Sequence, residues 1–524
     1  MDRMQAAPKL RILLSVWGSR GDMQPYVAAA LGMMAAGHKV SIMSKPDLKA
    51  FVEANGVNFL GFDVPTEAAT PEKQQDGDNN PFLRAKADAA KMFDEGVSFS
   101  YCMNSIATIF HSKTETVNER NAWLLQLLQL CSKGPDGTAA WDLVCVALPM
   151  DSMGLAVSLV SNTPCLLIEL QQWDPMPTYW LGGHQPSEYS TPVEAKTAMD
   201  ESLAGLCRGA AAKFPAPCDQ LLETLGDPMN WYNDWRQNKL FPWAPAVCAV
   251  APLIAETLYP TLVREGQLAF LGNLVLAEEK QTPESAEDAG FGTASDLAEL
   301  QAFIDKDGAK RPIYMGWGSM MPFMSDTKRA ILLVVEALQS SSQRAIVLAG
   351  YLKLSMELLK EAVAVNGDER GLVAYAEANV VFKEKVPHEW LLKRVACTVH
   401  HGGAGTLSAA LRAGVPTVVT PVHPADQFDH AHLVTALGVG RGLKHFTQNT
   451  SEELGAAILE CVTSERIQLK AKEVGAMLQE QANGVVALVD YVEKFYAEQV
   501  ATGKWQAAID EVKRSAPMTP VQLI

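Results

Sequence analysis

The sequence predicts an α/β protein of two Rossmann-like units whose mostly parallel sheets face each other. Three observations predict it. A β-α-β unit opens the chain within its first 44 residues. A strand, a glycine turn and a helix follow one another between Val395 and Gly414. Both halves alternate short apolar runs with helical stretches, the pattern of parallel strands joined by crossover helices. A chain of 524 residues is also too long for one ordinary core.

The opening unit reads element by element. Leu10 to Val16 is a strand with no charge after Arg11, as a strand buried on both faces requires. Trp17-Gly18-Ser19-Arg20-Gly21 is a turn, Asp22 stands as a helix N-cap, and Pro25 falls in the first turn. Tyr26 to Ala36 is the helix, Gly37 stops it, and Lys39 to Ser44 is the second strand. Trp141 to Ala147 and Pro164 to Leu170 are further strands. Trp173 to Asp234 is irregular and rich in Pro, Trp, Tyr and Met. Its Trp173, Met176, Trp180 and Trp231 either line an apolar pocket or belong to the core.

In the second half, Pro312 to Trp317, Ala345 to Ala349, Val380 to Phe382, Ala396 to Val399 and Thr417 to Thr420 are the strands. Thr450 to Glu453 is a capping box that starts a helix. Val485, Leu488, Val489 and Val492 recur at helical spacing, so the end of the chain is amphipathic helix. The domains expected are residues 1–250, residues 251–484 and a C-terminal helical segment 485–524.

Composition narrows the function. The net charge of −16 argues against a nucleic-acid binder and against docking on anionic lipid through charge. Nine cysteines without a C-x-x-C pair fit a reduced, cytoplasmic protein and give no support for a zinc site. Asp76-Gly77-Asp78 has the D-x-D form of a metal motif but lies in a polar stretch, not at a strand end, and is not read as one. No apolar signal region and no run of eighteen apolar residues is expected, so contact with a bilayer would be peripheral.

The chemistry centres on His400-His401-Gly402-Gly403-Ala404-Gly405-Thr406, which ends a strand and opens a helix. Free N–H groups and the partial positive charge of a helix N-terminus attract anions. Glycines let the backbone approach phosphate oxygens, and His401 and Thr406 add donors. Gly318 and Ser319 follow the first strand of the same unit and face the same phosphates. Asp426 and Gln427 lie one strand later, a carboxylate and an amide suited to sugar hydroxyls. His400 is either a further donor or a neighbour packed on the sheet.

These motifs together resemble the UDP-glycosyltransferases of the GT-B fold, in particular the sterol glucosyltransferases and the related bacterial antibiotic glycosyltransferases. The G-S-R-G-D-x-Q-P of Gly18 to Pro25, Pro312 to Met320, Val386 to Leu391, His400 to Thr406, Leu411 to Pro416 and Asp426 to Phe428 carry the resemblance. It implies an inverting transfer of a hexose, glucose from UDP-glucose, to a hydroxyl of an apolar acceptor such as a sterol, with no cofactor and no metal. The resemblance puts His401, Thr406, Gly403, Gly405, Gly318 and Ser319 at the diphosphate, and the segment Lys385 to Leu391, with Val386 and His388, at the uracil. Asp426 and Gln427 would bind the sugar, Gly18 and Arg20 would lie on the donor side, and Asp22 would be the general base. Read from the residues alone, Asp22 is a helix cap, a role that can coexist with that of base. The predicted architecture is then α/β of the GT-B type, with the C-terminal helix returning to the first unit. The departures between Ile254 and Leu274 leave two acceptor readings open, a sterol or related lipid and a polyketide, terpenoid or other secondary metabolite; a reading of another kind is a non-catalytic protein that binds the sugar nucleotide.

Overall fold

The computed structural model describes residues 8–18, 20–62, 123, 126–132, 139–147, 154, 157–158, 161–170, 245–258, 263, 268–276, 294–306, 308, 310–318, 326–364, 367–422, 426–481 and 483–515. Ser19, Ser319, His423 and the side chain of Asp426 lie outside this description, as do Asp76 to Asp78, Trp173, Met176, Trp180 and Trp231.

Two all-parallel sheets organise the chain. The first contains β1 (Arg11–Ser15), β2 (Lys39–Ser44), β3 (Asn58–Gly61), β4 (Leu143–Ala147), β5 (Cys165–Glu169), β6 (Ala246–Cys248) and β7 (Ala269–Phe270). They lie in the order β3-β2-β1-β4-β5-β6-β7. The second contains β8 (Ile313–Gly316), β9 (Ala345–Leu348), β10 (Val380–Lys383), β11 (Thr398–His400), β12 (Thr417–Val419) and β13 (Gly440–Gly442), in the order β10-β9-β8-β11-β12-β13. In each sheet the order reverses once, between β1 and β4 and between β8 and β11. Ligands of such sheets bind beyond the carboxyl ends of the strands at the reversal, where neighbouring loops diverge and leave a crevice. The loops that leave β1, β8 and β11 carry Asp22 and the residues predicted at the diphosphate.

The helices that matter to the site are α1 (Arg20–Ala35), α2 (Ala404–Arg412), α3 (Asp426–Ala436), α4 (Glu465–Glu480), α5 (Gly484–Phe495) and α6 (Lys504–Ser515). α1 starts earlier than its sequence suggests. Asp22 is its third residue, not the residue ahead of it, and Pro25 sits inside the helix. Proline has no N–H, so the carbonyl of Gly21 loses its intrahelical donor, a loss tolerable so close to the helix start. α2 also starts early. Ala404, Gly405 and Thr406 are already its first turn, and Gly403 is the N-cap. The capping box at Thr450 and Glu453 forms with both reciprocal hydrogen bonds.

The C-terminal helices return to the first sheet. Leu488, Val492 and Phe495 of α5, with Trp505 and Ile509 of α6, are buried in the same apolar cluster as β1, β2, β4 and β5. Each fully buried side chain of this size contributes roughly 1.5–3 kcal/mol. α5 also crosses α1 closely: a Cβ on Gly32 would stand 2.1 Å from Val485 Cγ1. His38 Nε2 and Glu493 Oε1 lie 3.3 Å apart across the same junction.

Candidate active site

The second sheet supplies a turn whose free N–H groups suit an anion. β11 ends at His400, and the chain reverses through Gly402 at φ 90° before α2 begins. Gly403 offers the first turn of α2 no side-chain acceptor, so its N–H groups are not capped by their own N-cap residue. Gly405 is exposed and Thr406 half-buried, which leaves this turn open at its tip.

The imidazole of His401 is clamped between two glycines. A Cβ on Gly318 would stand 3.0 Å from His401 Cε1, and one on Gly403 would stand 2.4 Å from His401 Nε2. Gly318 also holds φ 61°, a left-handed conformation that favours glycine. The loops leaving β8 and β11 therefore meet on this ring, as the sequence predicts for Gly318 and His401. His401 is 7% exposed, and among the described residues no hydrogen-bond partner meets its Nδ1. Burial lowers its pKa to about 4, with the Gly316 carbonyl acting in the opposite sense. The ring is neutral at pH 7, with one N–H available as a donor.

Other predicted residues are placed as follows. Gln427 is buried, and its Oε1 accepts a hydrogen bond from the Val422 N–H at 2.9 Å, which ties it to the loop before α3. Val386 is buried beside Trp390 and Leu391, so its side chain is committed to the core. His388 Nε2 lies 2.8 Å from the Tyr314 hydroxyl, with the rings edge to face. Burial, with the charge of Arg20 acting in the same sense, lowers the His388 pKa to about 4. Arg20 belongs to the first unit, so the two units are electrostatic neighbours at this point.

The first unit presents the start of α1 to the same place. The Gly21 carbonyl oxygen lies 4.0 Å from where a Cβ on Gly405 would stand, so the first turns of α1 and α2 come together. Asp22 is exposed in that turn of α1. Gly18 is packed on it: a Cβ at Gly18 would stand 2.6 Å from Asp22 Oδ2. Tyr26, one turn later, donates its hydroxyl to the Ile168 carbonyl at 2.6 Å and fastens α1 to β5. Arg20 stacks over the Phe51 ring at 4.5 Å, and burial lowers its pKa to about 10.

Sequence reasoning did not single out several residues here. His430 of α3 holds the Gly402 carbonyl at 2.5 Å. Trp317 Nε1 donates to Thr420 Oγ1 at 2.8 Å and so couples the loop after β8 to the end of β12. Trp17, Phe62 and Trp123 form an aromatic cluster at the ends of β1 and β3, with Lys45 over the Trp17 ring at 3.9 Å. A lone histidine on a helix and scattered aromatics carry no local pattern, so only the fold reveals these contacts.

Comparison with known proteins fits this geometry. Residues 12–109 match the glycosyltransferase family 28 N-terminal domain, and residues 351–483 match the erythromycin biosynthesis protein CIII-like C-terminal domain. The chain is 27% identical over 94% of its length to a sterol 3-beta-glucosyltransferase of Komagataella phaffii, and 26% identical over 98% to one of Aspergillus oryzae. It spans about a third of those relatives, 35% and 32% of their length. Its fold matches CalG4, the calicheamicin glycosyltransferase, with a TM-score of 0.56 at 14% identity, covering 94% of this chain and 99% of that one. It also matches the glycotransferase of kitacinnamycin, with a TM-score of 0.54 at 17% identity, covering 93% of this chain and 99% of that one.

The chain has the GT-B fold, and one segment of each half matches a glycosyltransferase-related domain. Within that GT-B frame the two family matches fall on the two sheets, one on each side of the approach between Gly21 and Gly405. Among the described residues no cluster of three or more His, Cys, Asp or Glu side chains stands together as a metal site, and no helix is long and apolar enough to cross a membrane.

Proposed function

We propose that this chain is an inverting glycosyltransferase that moves glucose from UDP-glucose to the hydroxyl of a sterol or related apolar lipid. The observation that carries the reading is the meeting of two helix N-termini: the turn of α2 that suits a diphosphate, and the turn of α1 that bears Asp22. The relatives named for sterol glucosylation match along nearly the whole chain, which favours a sterol over a polyketide or other secondary metabolite.

In this reading the acceptor oxygen attacks the anomeric carbon as the bond from that carbon to the UDP oxygen breaks on the opposite face. The acceptor proton passes to the Asp22 carboxylate, and UDP departs with the electron pair. An alcohol is too weak an acid to lose its proton unaided, so a base within reach is required. The first-turn N–H groups of α2 and the neutral His401 meet the charge that builds on the leaving diphosphate. Arg20 adds a cation from the opposite unit, and partial burial strengthens its field. Asp426 and Gln427 would hold the sugar, and the segment from Lys385 to Leu391 the uracil.

The test is turnover of UDP-sugars against a panel of sterols and aromatic alcohols, read by mass spectrometry. The expected product is a sterol carrying one hexose, formed without added metal or cofactor. Transfer only to aromatic alcohols would replace the sterol with a secondary metabolite, and release of UDP without transfer to any alcohol would sink the transferase. Asp22→Ala is expected to abolish transfer while calorimetry still detects UDP binding. Near-normal turnover in that variant would remove Asp22 from the chemistry.

A further inference from the structure

The peptide of Gly402 is held from both ends. Its N–H donates to His400 Nδ1 at 3.0 Å, and its carbonyl accepts from His430 Nδ1 at 2.5 Å. It is also wedged sideways: a Cβ on Gly402 would stand 2.8 Å from Val419 Cγ1 and 3.1 Å from the Gln427 carbonyl oxygen. His400 and His430 are both buried, so neither contact competes with water.

These contacts join two elements far apart in sequence. The turn after β11 binds the anion, and α3 begins with Asp426 and Gln427 and carries His430 one turn later. We propose that His430 is a positioning residue that locks the diphosphate-binding turn to the helix carrying the sugar-binding pair, so that both halves of a nucleoside diphosphate sugar meet one rigid body. The proposal rests on the donor site described above. His430 works through the Gly402 carbonyl, which sets the direction of the following N–H groups and of the His401 ring. Without the imidazole, that carbonyl is buried without its donor, and the turn must shift to find another.

The direction of the bond defines the test. His430 must carry a proton on Nδ1, and burial keeps the ring neutral by lowering its pKa to about 4. Asparagine offers an amide N–H at the same branch point of the side chain, whereas phenylalanine fills the space and donates nothing. The experiment compares the full-length wild type, His430→Phe and His430→Asn by titration calorimetry with UDP and with UDP-glucose, and by amide hydrogen exchange of the segment from Gly402 to Thr406. His430→Phe is expected to weaken both nucleotides by the same factor, about tenfold, the scale of one lost buried hydrogen bond. It should leave the acceptor KM unchanged and speed exchange in the turn. His430→Asn is expected to restore both readouts.

Wild-type nucleotide affinity in a folded His430→Phe protein would overturn the proposal. So would an asparagine variant as weak as the phenylalanine one while both keep the wild-type Tm. Should His430→Phe fail to fold, His430→Asn decides: near wild-type affinity and exchange support the lock, and a loss in either overturns it. If the wild type binds neither nucleotide, the donor reading fails, and hydrogen exchange still judges the lock by itself.

Discussion

At the scale of single residues, the absence of a side chain does as much as its presence. Gly18 leaves room for the Asp22 carboxylate, which a Cβ would approach to 2.6 Å. Gly18→Ala is therefore expected to push the carboxylate off its position. Steady-state kinetics should show kcat falling on the order of a hundredfold, the usual cost of a misplaced reacting group, with UDP affinity little changed. Loss of UDP affinity with kcat intact would contradict this. His401 was legible in the sequence because two histidines before a glycine turn make a local pattern, and Gly318 because it follows a strand. His430 was not, because nothing local distinguishes a histidine that bonds a carbonyl 28 positions away. Nor did the sequence separate the base from the cap at Asp22. The helix boundary bears on that choice, because α1 already includes Asp22 in its first turn.

At the scale of elements, long apolar runs were readable and short crowded ones were not. β1, β2, β4 and β5 stand within a residue or two of their predicted spans because a strand buried on both faces must be apolar throughout. β13 reads Gly-Arg-Gly, which has almost no β preference. It is a strand because Gly440 lets the chain press against β12: a Cβ there would stand 1.8 Å from the Thr417 carbonyl oxygen. Gly440→Ala is expected to destabilise the protein by about 3 kcal/mol or more, since the clash is with backbone and not with a side chain that can rotate away. A urea melt should show a lower midpoint, and an unchanged one would mean that β13 is free to move. α2 teaches the same lesson at the site. Its helix begins within the glycine motif, so the N–H groups of Gly405 and Thr406 belong to a helical first turn and not to a loose loop.

At the scale of the whole molecule, the fold returns on itself and buries several of its histidines. The amphipathic spacing of Val485 to Val492 announced a helix, but its partner became visible only with the first sheet in view. A chain ending at residue 483 should lose the covering of α1 and the buried Leu488, Val492, Phe495, Trp505 and Ile509. A markedly lower Tm, or insolubility, is expected by calorimetry, and a wild-type melt would contradict it. Burial also lowers the pKa values of His388, His401, His430 and His445 to about 4 each. The unfolded chain therefore binds more protons than the folded one between the ordinary histidine value and about 4, and stability falls as pH falls through that window. Tm measured from pH 7 down to pH 5 should decline steadily, more than carboxylate titration explains at those values.

The central claim is that the meeting of α1 and α2 performs an inverting transfer from a UDP-sugar to an alcohol. It is tested most directly by incubating the protein with UDP-glucose and a sterol and reading the anomeric centre of the product by proton NMR. Because UDP-glucose carries an α linkage and the attack comes from the opposite face, the account predicts a β-linked glucoside, one for each UDP released. An α-linked product, or UDP released with free glucose as the only sugar, would contradict it.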